Sequence, residues 1–174
     1  MAERYVDSAR HLGRTLARQG RTLIYGGGGK GLMGALANAA LEAGGEVHGV
    51  IPQRLVDAET AHHGLTSLEI VPDMHTRKAR MAARADGFIA LPGGIGTLEE
   101  LFEIWTWSQI GCHSKPVGLL DVAGYYQRLC NFCATAPTRV YSRPYLATLL
   151  RDDSAGRLLD AFDAYRPHNL SRWD

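Results

Sequence analysis

The sequence predicts an α/β fold: a doubly wound, mainly parallel sheet with helices on both faces. Short apolar runs typical of buried strands alternate along the chain with segments of helical periodicity. Two glycine-rich segments each follow a predicted strand and precede a predicted helix. The 174 residues, 45% of them hydrophobic, suffice for one core, so we expect one domain over residues 1–174. In such folds ligands bind beyond the carboxyl ends of the strands.

The first half of the chain alternates helix and strand. Apolar residues from Val6 to Ala17 recur at helical spacing, and Gly20 ends the pattern as a C-cap would, which predicts a helix over 6–19. The elements predicted next are a strand over 22–25, a helix through Leu36 to Gly44, and strands over 46–51 and 65–71. The polar segment 53–64 is the least regular part, and we expect it to be a substrate loop.

The second half continues the alternation. Its predicted elements are a helix over 73–85, a strand over 87–91, a helix over 97–110, a strand over 116–120, and helices over 125–136 and 154–165. Trp105 and Trp107 lie on one of these helices and cannot easily face the same way, so we expect at least one at an interface.

Charge and composition exclude several kinds of partner. Lys and Arg number 19 against 18 Asp and Glu, giving a net charge of +1, so the sequence carries no overall field favouring nucleic acid or an anionic membrane. No apolar run reaches the length of a membrane span, and no signal-peptide core is present. We therefore predict a cytoplasmic protein with neither nucleic acid nor membrane as a partner.

The cysteines and histidines do not form a recognisable metal-binding pattern. Cys112, Cys130 and Cys133 lack the second pair that a four-ligand zinc site needs. Cys130-x-x-Cys133 falls in a predicted helix, where core packing is a commoner role than redox chemistry. His62, His63 and His75 have no matching ligands. We predict no metal.

The first glycine-rich segment, Gly26 to Gly34, is a candidate phosphate-binding loop. Its bare backbone at Gly26, Gly27, Gly28 and Gly31 could approach a phosphate near the following helix N-terminus. Lys30 is followed by glycine, which argues against a Walker A loop, and the next strand ends without the acidic residue of a dinucleotide site. A tight turn that allows close helix–sheet packing explains the glycines equally well.

The second glycine-rich segment, Pro92 to Glu100, offers an anion site and a structural alternative. With Thr97 as N-cap, its hydroxyl and the first-turn amides would bind a phosphate. Thr97-x-x-Glu100 is equally a capping box, which this segment alone favours. If Asp73 caps the preceding helix, Arg77 and Lys78 lie in or near its first turn, where the helix dipole disfavours cations. A surface carboxylate or a substrate phosphate would compensate them.

These segments together resemble one family. Pro92-Gly-Gly-x-Gly-Thr-x-x-Glu100, preceded by Met74-His-x-Arg77-Lys78, is similar to the paired signature of the Lonely Guy (LOG) family of cytokinin riboside 5′-monophosphate phosphoribohydrolases. Further similar segments occur in the same order: Tyr25-Gly-Gly-Gly-x-x-Gly-Leu-Met-Gly34, Gly49-Val-Ile-Pro52 and Trp105-Thr-Trp-x-Gln-x-Gly-x-His-x-Lys-Pro-Val-Gly118. The resemblance covers nearly the whole chain.

The resemblance implies a Rossmann-like nucleotide-binding catalytic domain that acts as a homodimer or larger homo-oligomer. Its reaction is hydrolysis of the N-glycosidic bond of a cytokinin riboside 5′-monophosphate to free base and ribose 5-phosphate, without a cofactor. Arg77 and Glu100 are implied as the catalytic pair. The residues implied to contact substrate are Glu59, Lys78, Gly94, Ile95, Gly96, Thr97, Leu98, Glu99 and Thr106.

The implied roles agree with the chemistry of the two side chains. A carboxylate can stabilise the oxocarbenium-like transition state of glycosidic cleavage and activate water, which suits Glu100. Arg77 stays protonated, so it would either hold phosphate or orient the carboxylate.

Alternatives of other classes stay open. One is a nucleosidase for ordinary purine or pyrimidine 5′-monophosphates, and another is a non-catalytic module that binds a nucleotide or cofactor. Family members often carry a mistaken lysine decarboxylase label, but pyridoxal phosphate needs a Schiff-base lysine, and Lys30, Lys78 and Lys115 have no visible cofactor-site context. Relatives begin with an additional strand, so we expect the sheet here to lack its first strand.

Overall fold

The computed structural model describes residues 3–58, 60–135 and 148–167. The chain divides into two compact units between Ala85 and Asp86, and each unit contains a three-stranded parallel sheet. The predicted α/β class and the parallel strands are therefore confirmed. The strands of the described residues form two sheets rather than the single one expected. That residues 1–174 act as one domain, and that the family's first strand is missing, stay predictions.

The first unit contains every element predicted up to residue 85 and one additional short helix over 53–57. They are α1 (Glu3–Arg18), β1 (Leu23–Tyr25), α2 (Gly31–Glu42), β2 (Val47–Pro52), α3 (Gln53–Asp57), β3 (Ser67–Val71) and α4 (Met74–Arg84). The strand order is β1-β2-β3, with Tyr25 paired to Gly49 and Pro52 to Val71. The expectation of an irregular segment over 53–64 is wrong for its start. There, Pro52 precedes a short helix whose first residue, Gln53, donates a 2.8 Å hydrogen bond to Asp57.

The core of the first unit includes the facing sides of α1 and α2 and the central strand β2. Leu12 and Leu16 are buried on α1, and Leu36 and Ala40 are buried on α2. The two helices approach closely at Gly13, where a Cβ atom would lie 2.4 Å from the Leu36 carbonyl oxygen. The buried residues of the central strand β2 are Val47, Gly49, Val50, Ile51 and Pro52. Burial of nearly the whole strand is typical of a parallel sheet covered on both faces.

The second unit repeats the plan. Its elements are β4 (Phe88–Ala90), α5 (Ile95–Gln109), β5 (Val117–Leu120), a 3₁₀ turn (Val122–Gly124), α6 (Gln127–Thr135), β6 (Leu149–Asp152) and α7 (Ala155–Ala164). The strand order is β4-β5-β6, and both pairings are parallel. The strand β6 was not predicted from the sequence, because its apolar run is only Leu149-Leu150. Ala136, the last residue of the predicted helix 125–136, lies outside the described residues.

The core of the second unit surrounds β5, all four residues of which are buried. Leu158 and Leu159 of α7 are buried as well. Trp105 is 2% exposed, and its indole nitrogen donates a 3.0 Å hydrogen bond to the Thr148 hydroxyl. Trp105 is therefore a core residue, and an interface role for the half-buried Trp107 stays a prediction.

Two properties of the described residues bear on possible membrane and metal partners. Within residues 3–58, 60–135 and 148–167, no helix is long and apolar enough to cross a membrane. The same residues include no group of three or more His, Cys, Asp or Glu side chains placed to bind a metal ion.

Candidate active site

The first glycine loop follows β1 and is paired with the segment after α3. The Gly29 amide donates to the Thr60 carbonyl and the His62 amide donates to the Gly27 carbonyl, each at 2.9 Å. Gly28 forms an isolated antiparallel bridge with Ala61. Gly26, Gly27 and Gly28 are buried, whereas Gly31, the first residue of α2, is exposed. These contacts give the loop a structural role, and phosphate binding by it stays a prediction.

Arg77 lies against the start of this loop. It is 8% exposed, and its Nε donates a 3.2 Å hydrogen bond to the Val50 carbonyl of β2. A Cβ atom on Gly26 would lie only 1.8 Å from Arg77 Nη2, so the guanidinium occupies space that any other residue at position 26 would fill. The buried cation is thus fixed over the residue that follows β1. Burial of a charge is tolerated only where partners compensate it, so the surroundings of Arg77 are built for a cation.

The start of α4 explains how Arg77 reaches this position. Asp73 caps the helix, which meets the condition considered from the sequence, and its Oδ1 accepts a 2.7 Å hydrogen bond from the Thr76 amide. The Thr76 amide also lowers the pKa of Asp73, because it stabilises the charged carboxylate. Arg77 and Lys78 follow within the first turns, and Lys78 is half-buried. Glu59, also expected to contact substrate, lies outside the described residues.

The second glycine loop joins β4 to α5 in the other unit, and its cap differs from the prediction. Gly94 is the N-cap of α5, with extended backbone and no side-chain cap hydrogen bond. Thr97 is the third helical residue, so the predicted Thr97 cap and its capping box with Glu100 are wrong. Glycine supplies the extended cap backbone here, and Thr97 Oγ1 instead lies 2.2 Å from where a Cβ atom of Gly93 would be. The threonine side chain therefore packs back onto the loop.

The first turn of α5 is open to solvent. Gly94, Ile95 and Gly96 are exposed, and nothing lies within 4 Å of a Cβ atom built on either glycine. Ile95, beside these glycines, is 88% exposed. The amides of a first helical turn have no carbonyl acceptor within the helix, and the helix dipole adds positive potential there. This turn has the character of a site for an anionic group with apolar surface beside it.

The other candidate residues of α5 lie further along the helix. Glu100 and Leu98 are half-buried, whereas Glu99 and Thr106 are exposed. Glu99 and Thr106 are seven residues apart and therefore share one helix face. The structure thus brings Gly94 to Glu100 together on one loop and helix start in the second unit. In the first unit it brings Arg77 to Gly26.

Three residues that hold the second glycine loop were not predicted from the sequence. Tyr125 Oη donates a 2.8 Å hydrogen bond to the Gly93 carbonyl, and Tyr126 Oη donates to the Leu91 carbonyl at 2.5 Å. Asp121 accepts a 2.6 Å hydrogen bond from the Tyr126 amide. A polar residue directly after a parallel strand is a usable signal for a site, and Asp121 directly follows β5.

Comparison with protein families and curated proteins finds clear relatives. A family model described as "Possible lysine decarboxylase" matches residues 33–161. The cytokinin riboside 5′-monophosphate phosphoribohydrolase of Rhodococcoides fascians is 51% identical over 142 residues, which are 81% of this chain and 72% of that protein. The Arabidopsis thaliana protein of the same name, LOG5, is 44% identical over 178 aligned positions, covering 99% of this chain and 78% of that protein.

Comparison with solved structures finds more distant neighbours. The molybdenum cofactor carrier protein of Chlamydomonas reinhardtii matches with a TM-score of 0.71 and 22% identity, over 94% of this chain and 89% of that one. The molybdenum cofactor binding protein of Rippkaea orientalis matches with a TM-score of 0.70 and 20% identity, over 92% and 86%. Identities this low show a shared fold alone.

Proposed function

Because this chain belongs to the family of cytokinin riboside 5′-monophosphate phosphoribohydrolases, we propose that it hydrolyses the N-glycosidic bond of a cytokinin riboside 5′-monophosphate. The products are the free base and ribose 5-phosphate. The observation that carries the proposal is the 51% identity to the Rhodococcoides fascians protein of that name over 81% of this chain. Such hydrolases act on N-glycosyl bonds, and their chemistry needs a water molecule and a carboxylate that stabilises an oxocarbenium-like transition state.

Glu100 is the group that we propose stabilises the transition state. As the ribosyl–base bond breaks, positive charge develops on the sugar ring, and a carboxylate nearby stabilises that charge. The same carboxylate can accept a proton from the attacking water. Glu100 lies on the second turn of α5, half-buried and just beyond the open first turn. Phosphate bound by the first-turn amides would therefore place the sugar within reach of this helix.

Arg77 is the cation that we propose holds the negative charge of the substrate. A guanidinium presents several donors in one plane and remains charged at every physiological pH. Its Nε is already committed to the Val50 carbonyl, which orients the terminal nitrogens. Lys78, the next residue on α4, is proposed as a second substrate contact.

The wider properties proposed are those of a cytoplasmic homo-oligomer without a nucleic-acid partner. Cys112, Cys130 and Cys133 are all free thiols, as is usual in a reducing compartment. The near-balanced charge, 19 basic against 18 acidic residues, gives no overall positive field that would favour nucleic acid. We propose a homodimer or larger assembly on the basis of the family.

The direct test measures, by chromatography, the release of base and ribose 5-phosphate from isopentenyladenosine monophosphate and from AMP. We expect wild type to prefer the prenylated nucleotide. Glu100→Gln should lower kcat by about 10²–10⁴-fold, the range for loss of a general acid–base group. Arg77→Ala should also abolish most turnover.

Matched controls are Glu42→Gln and Arg10→Ala, which alter the exposed residues of α2 and α1 and should leave turnover unchanged. Equal rates on AMP would identify an ordinary nucleoside monophosphate nucleosidase instead. A folded wild type that binds nucleotide without cleaving it would favour the non-catalytic binding module.

A further inference from the structure

Two adjacent tyrosines hold the glycine loop from which the proposed catalytic helix starts. Tyr125 Oη donates to the Gly93 carbonyl at 2.8 Å, and Tyr126 Oη donates to the Leu91 carbonyl. The two rings are 5.0 Å apart and meet edge to face, a favourable aromatic geometry. Two carbonyls of one short loop are thus fixed by side chains from beyond the neighbouring strand.

Tyr126 is well suited to act as a permanent donor. It is 1% exposed, and burial raises the pKa of its phenol well above the ordinary value. Its ring is therefore held in the core of the second unit while its hydroxyl reaches the loop. Tyr125 is partly exposed, and its ring packs edge to face against that of Tyr126.

The tyrosines are themselves anchored to two strands. Asp121 follows β5 and is 4% exposed, and its Oδ1 accepts the Tyr126 amide at 2.6 Å. Its other oxygen, Oδ2, accepts a 2.6 Å hydrogen bond from Arg151 Nε on β6. The Asp121 amide donates to the Asp152 carbonyl at 2.8 Å. The buried Asp121 carboxylate is thus held by a charge-assisted hydrogen bond from the more exposed Arg151, and it fixes the backbone at the start of the tyrosine pair.

The turn between Asp121 and the tyrosines is held in an unfavourable conformation. Ala123 has φ of +53° and ψ of +35°, the left-handed region that residues with a Cβ atom avoid. Such a residue persists only where the surrounding structure determines it. The 3₁₀ turn is therefore shaped by the contacts on either side of it, and it directs both phenols toward the loop.

We propose that Tyr125 and Tyr126 are positioning residues that fix the Leu91–Gly94 loop, and through it the first turns of α5. The proposal rests on the proposed function, because it is the geometry of Gly94 to Glu100 that the tyrosines would serve. Gly94 is both the end of this loop and the N-cap of α5, and its carbonyl accepts the Leu98 amide at 3.2 Å. A shift of the loop would therefore move the phosphate-binding amides and Glu100 together. Misplacement of about 1 Å can cost about 10²-fold in rate.

The test compares Tyr125→Phe, Tyr126→Phe and the control Tyr165→Phe, which removes a hydroxyl from the half-buried tyrosine that caps α7. Hydrogen exchange of peptides covering 91–101 measures the order of the loop and helix start. Steady-state kinetics on isopentenyladenosine monophosphate and thermal unfolding are measured on the same proteins. Tyr125→Phe and Tyr126→Phe should exchange faster in 91–101 alone and lose about tenfold or more in kcat, by misplacement of the reacting groups. Tyr165→Phe should change neither.

The outcomes separate this proposal from its premise. Lost turnover with unchanged exchange in 91–101 would show that the phenols contact substrate instead, and would overturn the positioning role. Unchanged turnover and exchange would overturn it as well. If wild type cleaves nothing, the proposed function fails, and the exchange arm still decides whether the tyrosines order the loop. Should Tyr126→Phe not fold, the partly exposed Tyr125→Phe carries the same test.

Discussion

The position of the Arg77 side chain depends on Gly26 having no side chain of its own. Its guanidinium occupies the space above Gly26, and its Nε bonds to the Val50 carbonyl. From the sequence, Arg77 is a cation at an unfavourable helix end and, by resemblance, one of the catalytic pair. The Val50 carbonyl compensates part of the cost of burying this cation, and it orients the guanidinium from β2.

Gly26→Ala should therefore damage activity more than folding. The new methyl group would meet the end of the Arg77 side chain, which can move, rather than backbone, which cannot. We expect kcat/KM to fall about 10- to 100-fold as Arg77 is displaced. The free energy of unfolding should fall by about 1–3 kcal/mol, the usual range for overpacking. Base release and urea denaturation measure the two effects.

Gly156→Ala is the matched control. This glycine lies in the first turn of α7, and the nearest atom to a new Cβ would be Ser154 Oγ at 3.9 Å. Activity should be unchanged, and stability should be equal or higher by up to about 1 kcal/mol, since alanine favours helix over glycine. Full activity of Gly26→Ala would contradict the assigned position of Arg77.

At the scale of elements, α4 is the helix whose start matters most to the candidate site. It begins directly after Asp73, whose carboxylate accepts the Thr76 amide, and the two cations Arg77 and Lys78 follow. A negative charge at the N-cap interacts favourably with the helix dipole, whereas the two nearby cations interact unfavourably with it. The cap thus stabilises the element that carries Arg77.

Asp73→Ala should lower the melting temperature by about 2–4 °C, the shift expected when a side-chain cap is lost in a protein of this size. Asp73→Asn keeps an acceptor for the Thr76 amide but removes the charge, so it should lower the melting temperature less. Calorimetry at pH 7 compares the three proteins. Equal melting temperatures for Asp73→Ala and wild type would show that the cap does not stabilise α4.

At the scale of the whole molecule, both units follow the same rule. In each, three parallel strands alternate with helices, and the loops after the strands carry the candidate residues. Large apolar side chains are exposed in both, among them Ile70 in the first unit and Ile95 and Phe132 in the second. Single exposed apolar residues are ordinary on monomers, so these side chains do not by themselves indicate self-association.

The proposed homo-oligomer predicts a solution mass at least twice the chain's 19.0 kDa. Light scattering coupled to size-exclusion chromatography measures that mass directly. The value should persist on dilution into the low micromolar range and in high salt, because obligate interfaces are mainly apolar and are weakly screened. A mass of one chain at every concentration would refute the assembly.

Local sequence signals predicted the regular part of the fold well. Helical spacing from Val6 onward and Gly20 gave α1, and the cap chemistry of Asp73 gave the start of α4. These signals involve residues one or two turns apart, and such contacts form in any helix of that sequence. The prediction that Thr97 is the N-cap of α5 was wrong. Gly94 and Thr97 could each cap the helix, and the loop geometry places Gly94 at the N-cap position.

The sequence by itself determined the α/β class, the two glycine loops and the candidates Arg77 and Glu100. Only the tertiary structure decided that Leu149–Asp152 is a strand, that Arg77 occupies the space over Gly26, and that Tyr125 and Tyr126 reach Gly93 and Leu91. The reason is physical. These contacts join residues about 30 to 50 positions apart, and they exist only because parallel pairing of β1 with β2, and of β4 and β6 with β5, brings their carboxyl ends to one edge of each sheet.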